Sequence, residues 1–359
     1  MRRGLISVVL CLVIGCSESF LPAWAVTDLR VVGAVVEVDG KPGRARPDPE
    51  DDIQVSLLVI DQGAPPSDVP EIPALTPPLL QWSLVACVPE LTLIGPPICR
   101  SSIQPCDDCE GPPPEDPFAL PIVRFQVPSQ AELDAAQATE VVVQGAVCAN
   151  GTPSTDAIAR FLMGETDDLE PCDPLPEVPP GRAEPPEGRF VTIRIPIEVT
   201  SDDPNLNPGI SAVVLNGRPW PPPYDQGVPR TAPRTGCEPD LDGVTEQDRA
   251  AHPVAGGPAS TIDLRVTPDS LQPYTVGDAT FTEEIQVSWL TDGGDLERTF
   301  SFITDPASSV LTQWQPVADA PEDGRLVRFT FVIRDGRGGT DWVERGLCVL
   351  PGPGVESPP

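Results

Sequence analysis

The sequence predicts an all-β protein built of tandem antiparallel β-sandwiches, and three observations lead there. Several segments alternate apolar and polar residues with period two, as Ile53, Val55, Leu57 and Val59 do against Gln54 and Ser56. Helical periodicity is scarce. The intervening segments carry much of the 49 Pro and 30 Gly, which suits short strands joined by turns and long loops rather than regular strand-helix alternation.

Taken in order, strands are expected at 29–38, 53–59, 79–87, 121–127, 140–148 and 191–199, a first set of six. A second set of seven is expected at 210–215, 262–266, 285–290, 298–303, 311–316, 326–334 and 341–350. Two short helices connect strands: 129–139 after an N-cap at Ser129, and 154–163 with Ile158, Phe161 and Leu162 on one face. Pro-rich excursions at 65–78, 112–117, 171–186 and 219–233 read as extended surface loops. The turn-forming run from Ser201 to Gly209 separates the sets, so the expected organisation is a sandwich over 28–200, a linker over 201–209, a sandwich over 210–351 and a tail over 352–359.

The first residues set the compartment. Arg2 and Arg3 precede the apolar run Leu5 to Ile14, which is too short for a stable span and reads as a signal peptide over 1–15. Val13-Ile14-Gly15-Cys16 resembles the lipobox of bacterial lipoproteins, which implies acylation of Cys16, a tether over 16–27 and attachment to the membrane through N-terminal acyl chains. By the same resemblance Ser17, rather than Asp, after the acylated Cys implies sorting to the outer membrane or cell surface. Cleavage after Ala23-Trp24-Ala25 is the competing pattern, set apart from the apolar core by Ser17, Glu18 and Ser19.

Of ten Cys, Cys11 lies in the signal peptide and Cys16 is the anchor, leaving Cys87, Cys99, Cys106, Cys109, Cys148, Cys172, Cys237 and Cys348. Eight cysteines in an oxidising compartment imply four disulfides. Six precede the linker and two follow it, so Cys237 is expected to bond Cys348. The Cys106-Asp107-Asp108-Cys109 spacing also occurs in redox and zinc motifs, but Pro105, two acidic residues and the absence of a second ligand pair favour a structural bond.

Chemistry is sparse. The net charge of -31 opposes binding to nucleic acid. The single histidine, His252, reads as a polar loop residue, and no nucleophile motif or phosphate loop accompanies it, so no catalytic residue is assigned. Glu238, Asp240, Asp242 and Glu246 have partial EF-hand spacing, but Arg249 stands where the bidentate Glu belongs. Trp82, Trp289, Trp314 and Trp342 fall in strands, leaving Trp220 as an exposed platform.

Arg328 to Thr340, a strand, the Gly-rich turn Asp335-Gly336-Arg337-Gly338-Gly339 and a return strand, resembles the last hairpin of bacterial immunoglobulin-like domains of the PKD and cadherin-like kind. With the lipobox, the opening Asp28-Leu29-Arg30-Val31 and the closing segment from Trp342 to Cys348, the chain resembles immunoglobulin-like surface lipoproteins of myxobacterial type. The resemblance implies tandem immunoglobulin-like sandwiches at the cell envelope, in a structural, adhesive or ligand-binding role toward another surface protein or a polysaccharide. A secreted carboxylate-dependent hydrolase acting on carbohydrate is the alternative. The 201–209 segment further resembles the calcium-binding linker of cadherin repeats, which implies Asp202, Asp203, Asn205 and Asn207 as calcium ligands, with Glu198 in support.

Overall fold

The computed structural model describes residues 22–60, 80–90, 96–111, 120–175, 186–198, 204–225, 237 and 244–352. The fold is all-β, with two sandwich cores in succession. The first contains β1 (Arg30–Val38), β2 (Asp52–Ile60), β3 (Leu80–Glu90), β4 (Ile98–Ser102), β5 (Cys106–Asp107), β6 (Ile122–Gln126), β7 (Glu140–Ala149), β8 (Gly151–Pro153), β9 (Cys172–Pro174) and β10 (Glu187–Pro196). One sheet runs β1-β2-β6-β5 and the other β10-β7-β3-β4, while β8 and β9 form a separate two-stranded ribbon. The inward residues of both sheets, among them Ile53, Val55, Leu57, Trp82, Leu84, Val123, Phe125, Val141, Val143 and Ile195, form one buried core.

The second contains β11 (Ile210–Leu215), β12 (Arg218–Pro219), β13 (Ser260–Val266), β14 (Pro273–Val276), β15 (Ala279–Thr282), β16 (Ile285–Thr291), β17 (Asp295–Leu296), β18 (Phe300–Ile303), β19 (Ser309–Gln315), β20 (Arg325–Arg334) and β21 (Thr340–Val349). Sheets β12-β11-β13-β19-β17 and β18-β16-β20-β21 enclose a core of Ile262, Leu264, Val287, Trp289, Trp314, Phe329, Phe331 and their neighbours. The β14-β15 ribbon stands outside it. Every named strand pair is antiparallel, the arrangement that leaves one face of a sheet open to water. The expected last hairpin is the β20-β21 pair, closed where Arg334 meets Thr340, with Gly336 at φ 74° and Gly338 at φ 118° supplying conformations that side chains disfavour.

The strands missed by pattern are β4, β5, β8, β9, β12, β14, β15 and β17, all of five residues or fewer. Runs so short hold too few alternations to read. Several are pinned covalently: Cys87–Cys99 ties β3 to β4, Cys148–Cys172 ties β7 to β9, and Cys106–Cys109 closes the chain at β5. Both expected helices form. Gln130–Ala136 begins at Ser129, whose backbone N–H and hydroxyl donate to Glu132, and buries Leu133 in the first core. Thr155–Leu162 buries Ala157, Ile158 and Phe161, and Phe161 stacks on Phe190 of β10 at 4.4 Å.

Candidate functional site at the junction of the two sandwiches

Asn205 and Asn207, expected as calcium ligands, sit in the connection between the sandwiches, and their local sequence explains how they are held. Pro208 follows Asn207, and the segment runs extended beside residues 43–45: Ala45 N donates to Asn205 O, Arg44 bridges Leu206, and Asn207 N donates to Gly43 O. The expected linker is therefore packed against the first unit from Asn205 onward. Its side chains reach the second.

Asn207 Nδ2 donates to Val36 O on β1 at 2.9 Å, while its Oδ1 accepts from Thr340 N on β21 at 3.0 Å. Asn205 Nδ2 donates to Asp335 Oδ2 at 2.8 Å, in full burial. Asp335 Oδ1 in turn accepts from Arg337 N and Gly339 N, which fixes the β20-β21 turn. A Cβ on Gly339 would come within 2.3 Å of the Asp335 carboxylate, so only glycine lets the turn close there. Beside it, Arg337 pairs with the buried Glu283 at 2.7 Å and covers the Tyr274 ring. Burial and the nearby Asp335 push the Glu283 carboxyl up, against the pull of Arg337. Arg46 of the first unit donates to Arg337 O, and Arg334 of the second donates to Val32 O.

An apolar patch completes the joint. Leu58 and Ile60 of β2 pack with Val26, Leu290 and Val332, flanked by Val32 and Trp342. This explains why β2 is buried on both faces at its end, where alternation alone gives it a solvent face. Residues 24–26 also dock on the second sandwich: Thr291 N donates to Trp24 O, Val26 N donates to Thr291 O, and Trp24 packs against the second core. The tether expected over 16–27 thus ends against the C-terminal unit before the chain enters the first.

The expected calcium set does not assemble from the described residues. Both ends of the Asn207 amide are committed to backbone groups, and Asn205 spends its Nδ2 on Asp335, leaving Asn205 Oδ1 as a buried atom without a hydrogen bond. Asp202, Asp203 and Cys16 lie outside the described residues, as do 238–243 of the EF-hand-like spacing. Among the described residues, no three His, Cys, Asp or Glu side chains are placed to hold a metal ion. Sequence reasoning saw the 335–339 turn as a hairpin closure and missed that its Asp335 is the acceptor for the connecting segment.

Two readings are corrected by burial. Trp220 is only 3% exposed: its Nε1 donates to Gly346 O and its ring meets Phe329 edge-on at 5.4 Å, so it is core and not a platform. His252 is buried as well. Its Nδ1 accepts from Cys348 N at 3.1 Å, which leaves the proton on Nε2, 3.2 Å from Pro222 O, and burial pushes its pKa down. It thereby braces the Cys237–Cys348 bond, whose Cα atoms are 5.7 Å apart.

An open groove of about 730 Å³ crosses the outer face of sheet β1-β2-β6-β5. Its floor is the cross-strand row Glu37, Gln54, Arg124 and Asp107. Gln54 donates to Glu37 at 2.9 Å, and Arg124 donates to Gln54 at 2.7 Å and to Asp108. Glu37 and Asp107 are three strand spacings apart, about 14 Å, beyond the roughly 5–9.5 Å separation of glycosidase carboxylates. No protein family matches the chain, and no curated protein is detectably similar to it.

Proposed function

We propose that the chain is an exported lipoprotein of the bacterial cell envelope, anchored through acyl chains on Cys16, whose two immunoglobulin-like sandwiches act as one structural or adhesive body. The observation that carries this reading is the junction. A buried hydrogen bond through Asn205 and partly buried ones through Asn207, together with the apolar patch at Leu58, Ile60 and Val332, fix one sandwich against the other, as a spacer or adhesin requires. Four disulfides support an oxidising compartment. Because residues 24–26 are docked, the eight residue steps from Cys16 to Trp24 span at most about 29 Å, which would hold the second sandwich close to the bilayer. The acidic surface turns partners toward other surface proteins or polysaccharides and away from nucleic acid.

A carboxylate-dependent hydrolase is the second reading, favoured only by Asp39 and Asp52, whose backbones bond across the mouth of the groove. Both side chains are exposed, whereas a glycosidase acid sits in an apolar pocket. The anchor is tested by detergent-phase partitioning of the full chain. Wild type enters the detergent phase and Cys16→Ala does not; a wild-type protein wholly in the aqueous phase refutes the lipoprotein reading.

A further inference from the structure

A second open groove, also of about 730 Å³, lies on the first sandwich between the edge strand β4, residues 126–129 after β6 and the Gln130–Ala136 helix. That volume is in the range of ligand sites. Its floor is the rim of the first core, Val88, Ile103 and Val127, with Ala136 beside them. Its walls are polar. Arg100, Gln104 and Glu50 are exposed, and among the described residues none of these three side chains has a hydrogen-bond or ion-pair partner. Arg30, Arg44, Arg124, Arg160, Arg189 and Arg265, by contrast, each pair with a carboxylate of the chain. Gln126 spends its Nε2 on Glu50 O and leaves its Oε1 unengaged among the described residues.

The backbone adds two groups. Ile103 N donates to Ala86 O and Cys87 stands opposite Ser102, so Ser102, which lines the groove, turns its N–H and C=O away from β3. Charge decides the class of ligand. Glu132 is committed to the backbone N–H and hydroxyl of Ser129, which leaves one guanidinium, Arg100, against one carboxylate, Glu50. The two balance, so neither sign of ligand is favoured, and the net charge of -31 opposes an anionic polymer. A guanidinium, a carboxylate and side-chain amides each present paired hydrogen-bonding positions in one plane, which fits neighbouring hydroxyls that both donate and accept. The apolar floor suits the C–H face of a sugar ring. We propose that this groove binds a neutral polysaccharide. The site rests on the cell-envelope function proposed for the chain and gives its polysaccharide partner a place on the sandwich to which residues 24–26 are not docked. A peptide strand fits less well, because β4 offers it the peptide groups of Ser102 beside a break in register between Val88 and Pro89.

Native affinity electrophoresis of the full-length chain in nonionic detergent, through gels containing dextran, laminarin or mannan, tests the site. At least one of these neutral polymers is expected to retard the wild type. Arg100→Ala is expected to raise the dissociation constant, read from relative mobilities, by about tenfold or more, the loss of one hydrogen bond from a charged group, and Gln104→Ala to raise it several-fold. Both should keep the wild-type melting temperature, since the two side chains are exposed and unpaired among the described residues. Arg298→Ala, on the second sandwich, should bind as the wild type does. Retardation by none of the three polymers overturns the proposal, and so does binding that survives both Arg100→Ala and Gln104→Ala. Stronger retardation by alginate, an anionic polymer, or by gelatin overturns it as well, by making the ligand an anion or a peptide. A chain that enters the detergent phase yet is retarded by none of the three loses this site alone; one that stays aqueous yet is retarded loses the anchor and keeps the site.

Discussion

Replacing Asn207 by Ala tests whether the junction is a fixed joint. The substitution removes two hydrogen bonds at once, one to Val36 O in the first unit and one from Thr340 N in the second, at 2.9 and 3.0 Å. Val36 and Thr340 are 5% and 7% exposed, so little water can replace the lost partner. An orphaned buried group costs about 1–3 kcal/mol, so two of them place the loss near 3 kcal/mol. Because one group belongs to each sandwich, the loss also weakens their coupling. Urea unfolding followed by near-ultraviolet circular dichroism should therefore show a lower midpoint for Asn207→Ala, and a single wild-type transition broadening or dividing into two. Because both ends of the Asn207 amide are already bonded to backbone groups, the wild-type curve should be the same with calcium and with chelator. A loss below about 0.5 kcal/mol, the level of an ordinary surface substitution, would refute the reasoning.

Two further outcomes follow from the second sandwich. Replacing Cys237 and Cys348 by Ser opens a loop with a sequence separation of 111, which on the chain-entropy relation lowers stability by about 5 kcal/mol, read from the urea midpoint of the purified double variant. His252, whose pKa is depressed by burial in the folded state, contributes full stability above the unfolded value of about 6.5; as pH falls through that value the unfolded chain takes up the proton first, and stability declines by up to about 1.4 kcal/mol per pH unit. His252→Asn keeps an acceptor for Cys348 N and should remove that slope between pH 6.5 and the folded pKa, measured against wild type. The raised carboxyls of Glu283 and Asp341 act in the opposite sense, gaining stability toward acid, and cancel in the comparison.

Secondary structure was legible where the period of the backbone and the burial of one face coincide. At β2, β7 and β20 the alternation or continuity of Val, Ile and Leu locates the strands, because a pleated chain with one wet face must alternate. The N-cap at Ser129 likewise announces a helix start, and the structure adds Glu132, three residues on, as its capping-box partner. Cysteine parity led to the Cys237 and Cys348 bond that the second sandwich contains.

What sequence could not decide depends on residues far apart in the chain. Trp220 and His252 stand in Pro-rich or polar surroundings that read as surface, yet Phe329, Phe331 and Gly346 cover the first and Cys348 and Pro222 hold the second. Asn205 and Asn207 are turn formers by local chemistry, and only the arrival of β1, β21 and the Asp335 turn converts them into ties between two units. The exposed Phe300 and Phe302 have the same alternation as a buried pair; which face of β18 meets water is settled by where β16 and the second core lie. Local composition thus determined the longer strands, the short helices and the pairing of Cys237 with Cys348 after the boundary. Tertiary structure alone determined which polar groups were buried and which apolar groups were left in water, because burial is a property of the neighbours a residue acquires and not of the residue itself.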